Sequence, residues 1–170
     1  QGLFAHVGTN SGSSRIARYE NLKIKEDIIS TEFEESKTST TASYISKAGL
    51  SVYARGNIVV DNCEFDINMT SQSCSGDADK TYYAGLFGEY KTHSGSKLTL
   101  NQVVAKGTKI VRDNDHYLSQ LIACVDTSNN PGTLPTIEMT DITVSGSVEN
   151  TNATTTCCLG GLIAVMNEEK

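Results

Sequence analysis

Four eight-residue segments carry one apolar pattern at nearly constant spacing: Ala17 to Ile24, Ile58 to Phe65, Leu98 to Ala105 and Ile137 to Val144. Each reads apolar, x, apolar, two mostly polar residues, apolar, x, apolar. With Leu22, Cys63, Val103 and Ile142 as equivalent positions, the successive separations are 41, 40 and 39 residues. Period-two alternation on either side of the polar pair predicts two short strands, each turning one face to a core, with a bend between them that resets the register. A helix is excluded, because strict alternation would scatter the apolar side chains around its circumference.

A second marker recurs once per unit. Gly2-Leu3-Phe4-Ala5, Gly49-Leu50-Ser51-Val52, Gly85-Leu86-Phe87-Gly88, Gln120-Leu121-Ile122-Ala123 and Gly161-Leu162-Ile163-Ala164 place a leucine at the head of a short segment, with Gln120 replacing the usual glycine. The glycine suits a tight turn. If the leucines point inward, Ala5, Val52, Gly88, Ala123 and Ala164, two places on, join them in a stacked column.

A unit of this kind cannot bury its apolar face alone. Stacking successive units at about 4.8 Å gives parallel sheets around a continuous core. The chain is therefore expected to be all-β, a right-handed parallel β-helix of about four coils of ~40 residues, the hand following from the preference of parallel crossovers. Residues 1–170 read as a single β-helix segment, uncapped at both ends and cut from a longer repeat protein. Longer polar connections are expected at 27–46, 70–81 and 108–116, on the solvent side. Asn21, Asn62, Asn101, Gln102 and Asp141 fall at the bends, where side-chain ladders between coils are expected.

Composition agrees with a thin, elongated core: hydrophobic residues are 38%, aromatics 6%, and there is no Trp. The formal net charge is −6 with no Lys/Arg cluster, which argues against nucleic acid as a partner. No apolar run reaches the roughly 20 residues of a membrane-spanning helix. Five cysteines, Cys63, Cys74, Cys124, Cys157 and Cys158, lack zinc-ligand spacing. Cys63 takes an inward repeat position and should behave as a small buried hydrophobe; the adjacent Cys157 and Cys158 should point to opposite faces. Sequons at Asn68 and Asn152 fit a secreted glycoprotein, and extracellular or cell-surface placement is expected.

In Ala84-Gly85-Leu86-Phe87-Gly88 and Gly160-Gly161-Leu162-Ile163-Ala164 the chain resembles the Gly-Leu repeat proteins of microbial surfaces, the GLUG-type and polymorphic-membrane-protein-like families. The likeness runs through the whole chain as a rhythm, with Ser51 and Gln120 departing from it. It implies a β-helical stalk used for display, adhesion or assembly, with other protein subunits or surface glycans as partners and no cofactor.

Parallel β-helices also include pectate-lyase-like enzymes, which need carboxylates or a cation and a base converging on one exposed face. The strand-borne outward charges, Arg18, Lys23, Glu64, Glu89 and Glu138, read as a solvated face, and no catalytic site is expected. Asp113-Asn114-Asp115-His116 and Asp77-Ala78-Asp79 offer oxygen ligands but read as turns rather than a calcium site, so no metal is expected. His6 and His93 are expected to be exposed. Any binding specificity is placed on the loops, with Tyr44, Tyr82, Tyr83, Asp113, Asp115 and Tyr117 as candidates. Open ends also suit head-to-tail self-assembly.

Overall fold

The computed structural model of the chain describes residues 3–8, 14–30, 44–71, 80–93, 95–111, 116–127, 135–151 and 157–167. Among these there is no helix. The first repeat contributes β1 (Phe4–Gly8), β2 (Ala17–Glu20) and β3 (Lys23–Ser30); the second β4 (Tyr44–Ala48), β5 (Ser51–Arg55) and the long β6 (Ile58–Ser71). The third supplies β7 (Lys80–Ala84), β8 (Phe87–Lys91), β9 (Lys97–Lys106) and β10 (Thr108–Val111). The fourth supplies β11 (His116–Ser119), β12 (Ile122–Asp126), β13 (Thr136–Thr140), β14 (Thr143–Val144) and β15 (Ser147–Asn150), and β16 (Cys157–Gly160) and β17 (Ile163–Asn167) follow.

These strands form three parallel sheets, and in each of them the order follows the chain. One sheet runs β1-β5-β8-β12-β17 and another β4-β7-β11-β16. In the third, β2 and β3 pair with β6, β6 pairs with β9 and β10, and β13, β14 and β15 continue beyond them. Each strand's hydrogen-bonded partners thus come from the repeat before or after its own. The register agrees with the spacing in sequence: Ala17 pairs with Ile58, Ile58 with Leu98, Leu98 with Ile137, and Cys63 with Val103.

The bend inside each apolar segment has a backbone cause. Asn21, Asn62, Gln102 and Asp141 hold φ of 58°, 50°, 51° and 54°, the left-handed region, at the same position of four successive repeats. Asn and Asp tolerate that conformation better than most residues with a Cβ, which explains why polar residues sit there between apolar strands. A second corner follows at Gly107 and Gly146, where a Cβ would lie 2.3 Å from the Ile67 carbonyl oxygen and 2.1 Å from the Gly107 carbonyl oxygen. The ladders expected at the first corner are present in two places: Asn62 Nδ2 donates to Asn21 Oδ1 at 2.6 Å, and Asn101 Nδ2 to Asp61 Oδ1 at 2.6 Å.

One apolar core draws on all three sheets, with Leu50, Ile58, Phe65, Ile67, Tyr83, Leu86, Phe87, Tyr90, Leu98, Leu100 and Leu121 fully enclosed. Cys63 lies in it, 2% exposed. Tyr90 satisfies its phenol by donating to the Gly56 carbonyl at 2.8 Å.

The sequence reading needs correction at three points. The column two places after each leucine does not share the leucines' core: Ala123 belongs to a second, smaller cluster with Tyr82, Ala84 and Cys124. The Gly-Leu pair is itself a bend, so the inward positions of the following strand are Phe87 and Tyr90, or Ile122 and Val125, three apart rather than two. The polar connections are shorter than expected, since β3 continues to Ser30, β6 to Ser71, and β10 occupies 108–111. His93 is buried, 8% exposed, because Arg55 Nε donates to its Nε2 and its backbone N–H donates to Ser96 Oγ at 3.0 Å.

Candidate binding surface

The outer faces of the five-stranded and four-stranded sheets gather the polar and aromatic side chains not used by the core. Parallel pairing stacks equivalent residues, so His6, Tyr53, Glu89 and Cys124 form one column, and Arg55, Lys91 and Asp126 form the next. His6 packs its ring edge on Tyr53 with centroids 4.5 Å apart. Lys91 and Asp126 form an ion pair at 3.2 Å with both side chains largely covered. Burial alone would lower the proton affinity of the Lys91 amine, but Asp126, together with Tyr53 and Glu89, outweighs it and holds the amine above its ordinary range.

On the neighbouring sheet, strand alternation separates two adjacent tyrosines. Tyr83 turns into the main core, fully buried, with Lys47 Nζ 5.7 Å from its ring centroid. Tyr82 turns the other way into the smaller cluster and stacks on Tyr117 of the next repeat, centroids 5.4 Å apart and planes 18° from parallel. Burial drives the Tyr82 phenol far above its ordinary range, with Cys124 and Glu89 adding to the effect. Tyr82 therefore stays a neutral hydroxyl, while half-buried Tyr117 presents part of its ring.

The strip made by Tyr53, Glu89 and Tyr117 combines partly exposed aromatic surface with a carboxylate. Such surfaces take up the apolar faces of sugar rings or protein side chains and hydrogen-bond their polar edges.

The third sheet carries a different outer face. Lys23 and Lys25 lie 3.9 Å from Glu64 and Asp66 respectively, and Lys106 of the following repeat reaches the same Glu64 at 2.5 Å. Lys106 beside it holds the Glu64 carboxyl below the usual carboxylate range. These solvent-facing charges cross-brace three repeats, and water screens each pair.

Several residues singled out from sequence have other roles or lie elsewhere. Asn68 stands within β6 with its amide engaged on both sides: Nδ2 donates to Asp27 Oδ1 at 2.8 Å, and Oδ1 accepts from the Thr108 backbone at 2.9 Å. Tyr44 starts β4, but its side chain, like Asn152, Asp113 and Asp115, lies outside the described residues. Among the described residues no group of three or more His, Cys, Asp or Glu could hold a metal ion.

One internal pair escaped the sequence reading. Lys109 takes a core column otherwise made of Ile28, Met69 and Val148, and Gln120 takes the corner position held by Gly49, Gly85 and Gly161 in the other repeats. Lys109 Nζ donates to Gln120 Oε1 at 2.5 Å and to the Ile67 carbonyl at 3.2 Å. The two departures from the repeat explain each other.

No known family model, curated protein or solved structure matches the chain.

Proposed function

We propose that the three sheets wrap one core as a right-handed parallel β-helix. On this reading it is a non-catalytic structural or adhesive scaffold on the extracellular or cell surface, and it offers its outer strip to a protein or glycan partner. The observation that carries this reading is the chain-order stacking of parallel strands, repeat on repeat, with polar side chains at the corners bonded between repeats. The right hand follows from the steric preference of parallel crossovers. Tyr53 and Glu89 on one sheet and Tyr117 on its neighbour are the contact residues favoured by their partial exposure.

The outermost strands support an assembly role as well. Leu3, Phe4 and Ile16 at one edge and Leu159, Leu162 and Met166 at the other are large apolar side chains that remain exposed, 42% to 58% each. Phe4, Leu159 and Met166 lie in β1, β16 and β17, strands at the ends of their sheets, a place that can accept a further parallel strand. Further repeats of the same kind, from this protein or a partner subunit, would cover both.

The test is an array of surface polysaccharides and glycoproteins probed with the purified chain and with Tyr117→Ala and Glu89→Ala. Binding that weakens about tenfold in either variant, equivalent to ~1.4 kcal/mol, supports the reading. New reducing ends or unsaturated products released from the same polysaccharides would overturn it in favour of a pectate-lyase-like enzyme.

A further inference from the structure

Lys109 is fully enclosed, and none of the ion pairs of the described residues includes it. Among the described residues its amine meets only neutral acceptors, the Ile67 carbonyl at 3.2 Å and Gln120 Oε1 at 2.5 Å. A buried ammonium with neutral acceptors alone is unfavourable, so the amine is readily lost to its neutral, nucleophilic form. Burial lowers its proton affinity to a pKa of about 8, against a weaker opposing pull from Asp66.

The Gln120 amide is held as firmly as the amine. Its Nε2 donates to the Gly107 carbonyl and to the Ser147 carbonyl, both at 3.0 Å, so the plane of the amide and the position of Cδ are fixed. With Nζ 2.5 Å from Oε1 and a C=O bond of about 1.2 Å, the Nζ to Cδ separation is at most roughly 3.7 Å. That is close to the ~3–3.5 Å of a near-attack arrangement.

We propose that Lys109 and Gln120 form an intramolecular isopeptide bond. The Lys109 ammonium first gives a proton to water. The Nζ lone pair then attacks Gln120 Cδ, the Nζ–Cδ bond forms as the Cδ–Nε2 bond breaks, and the surplus amine proton leaves with Nε2 as ammonia. Nothing is oxidised or reduced, and no co-reactant beyond water is needed. The product replaces a buried ammonium and a primary amide by one neutral secondary amide. It also ties β10, in one wall of the core, to the Gln120-Leu121 corner between β11 and β12. The proposal is independent of any binding role for the outer strip.

The experiment is peptide-level mass spectrometry of the purified full chain, denatured and digested with trypsin, both as prepared and after incubation of the folded protein at alkaline pH. The expected result is one species joining the Lys109 and Gln120 segments, lighter than their sum by one ammonia, with trypsin unable to cut after Lys109. Gln1, where it is the terminal residue of the preparation, loses ammonia on cyclising, so the loss is assigned by fragmentation rather than from the intact mass. Lys109→Met, which restores the apolar column residue, must lose the joined species while keeping the β-sheet circular dichroism. Separate peptides with cleavage after Lys109, both before and after the alkaline incubation, would overturn the proposal.

Discussion

Asn62 donates its side-chain amide to Oδ1 of Asn21, its counterpart 41 residues earlier, and both hold the left-handed backbone of the corner. One residue type thus meets two demands: a conformation that most side chains resist, and a hydrogen bond that ties one repeat to the next.

Replacing Asn62 by alanine keeps the strained conformation and loses the bond. A left-handed residue with an ordinary side chain costs roughly 1–2 kcal/mol, and the exposed hydrogen bond contributes up to about 1 kcal/mol. Asn62→Ala is expected to lose about 2 kcal/mol in urea denaturation, while Asn62→Gly, which relieves the strain, loses about half as much. Equal losses in the two variants would mean that the corner conformation is not what selects asparagine.

Gly85 and Gly161 occupy the same position in different repeats but in unlike surroundings. A Cβ on Gly85 would fall 2.2 Å from the Gln120 carbonyl oxygen, backbone that cannot move aside without disturbing the stack, whereas one on Gly161 meets nothing within 4 Å. Gly85→Ala is expected to cost about 3 kcal/mol, and Gly161→Ala no more than ~0.5 kcal/mol. Thermal unfolding of the two variants side by side checks the difference.

His93 accepts a hydrogen bond from Arg55 and must be neutral to do so. Burial first, then the Arg55 and Lys91 charges, holds its pKa below the ordinary 6.5. The unfolded chain therefore binds a proton that the folded chain refuses between the folded value and 6.5. Its contribution to stability is complete above 6.5 and is lost as the pH falls through that window. Comparing denaturation midpoints of the wild type and His93→Phe from neutral to mildly acidic pH isolates the effect, because other groups titrate alike in both. A wild type that shows no extra acid sensitivity would contradict the assignment.

Thiol labelling separates Cys63, Cys124 and Cys158 by their burial. Cys63 and Cys124 are buried, and Cys158 is half-exposed. The Cys63 thiol is also pushed up by burial, which slows formation of the reactive thiolate. Iodoacetamide is expected to modify Cys158 of the folded protein first, and Cys63 and Cys124 only on unfolding. Rapid native labelling of Cys63 would show that the core opens locally.

Parts of this structure were legible because they rest on local rules. The bends could be placed at Asn21, Asn62, Gln102 and Asp141 because a polar pair interrupts two alternating strands, and the observed register repeats the sequence spacing. The direction of the strands after Gly-Leu was not legible, because the bend shifts the inward positions to Phe87 and Tyr90 and leaves Ala123 on the other side. Nor was the burial of Lys109. A lysine at a core position makes sense only when its acceptor is known, and Gln120 comes 11 residues later at the corner of another wall. The fates of Tyr82 and Tyr83 depended on which face of β7 looks inward, a choice that the dipeptide alone leaves open.

Because every strand finds its partners one repeat away, each interface between repeats is a version of the same joint. Whole repeats can therefore be gained or lost through duplication or deletion without redesigning the joints that remain. Each repeat gained or lost in this way widens or narrows the parallel sheets by one strand, a step of about 4.8 Å.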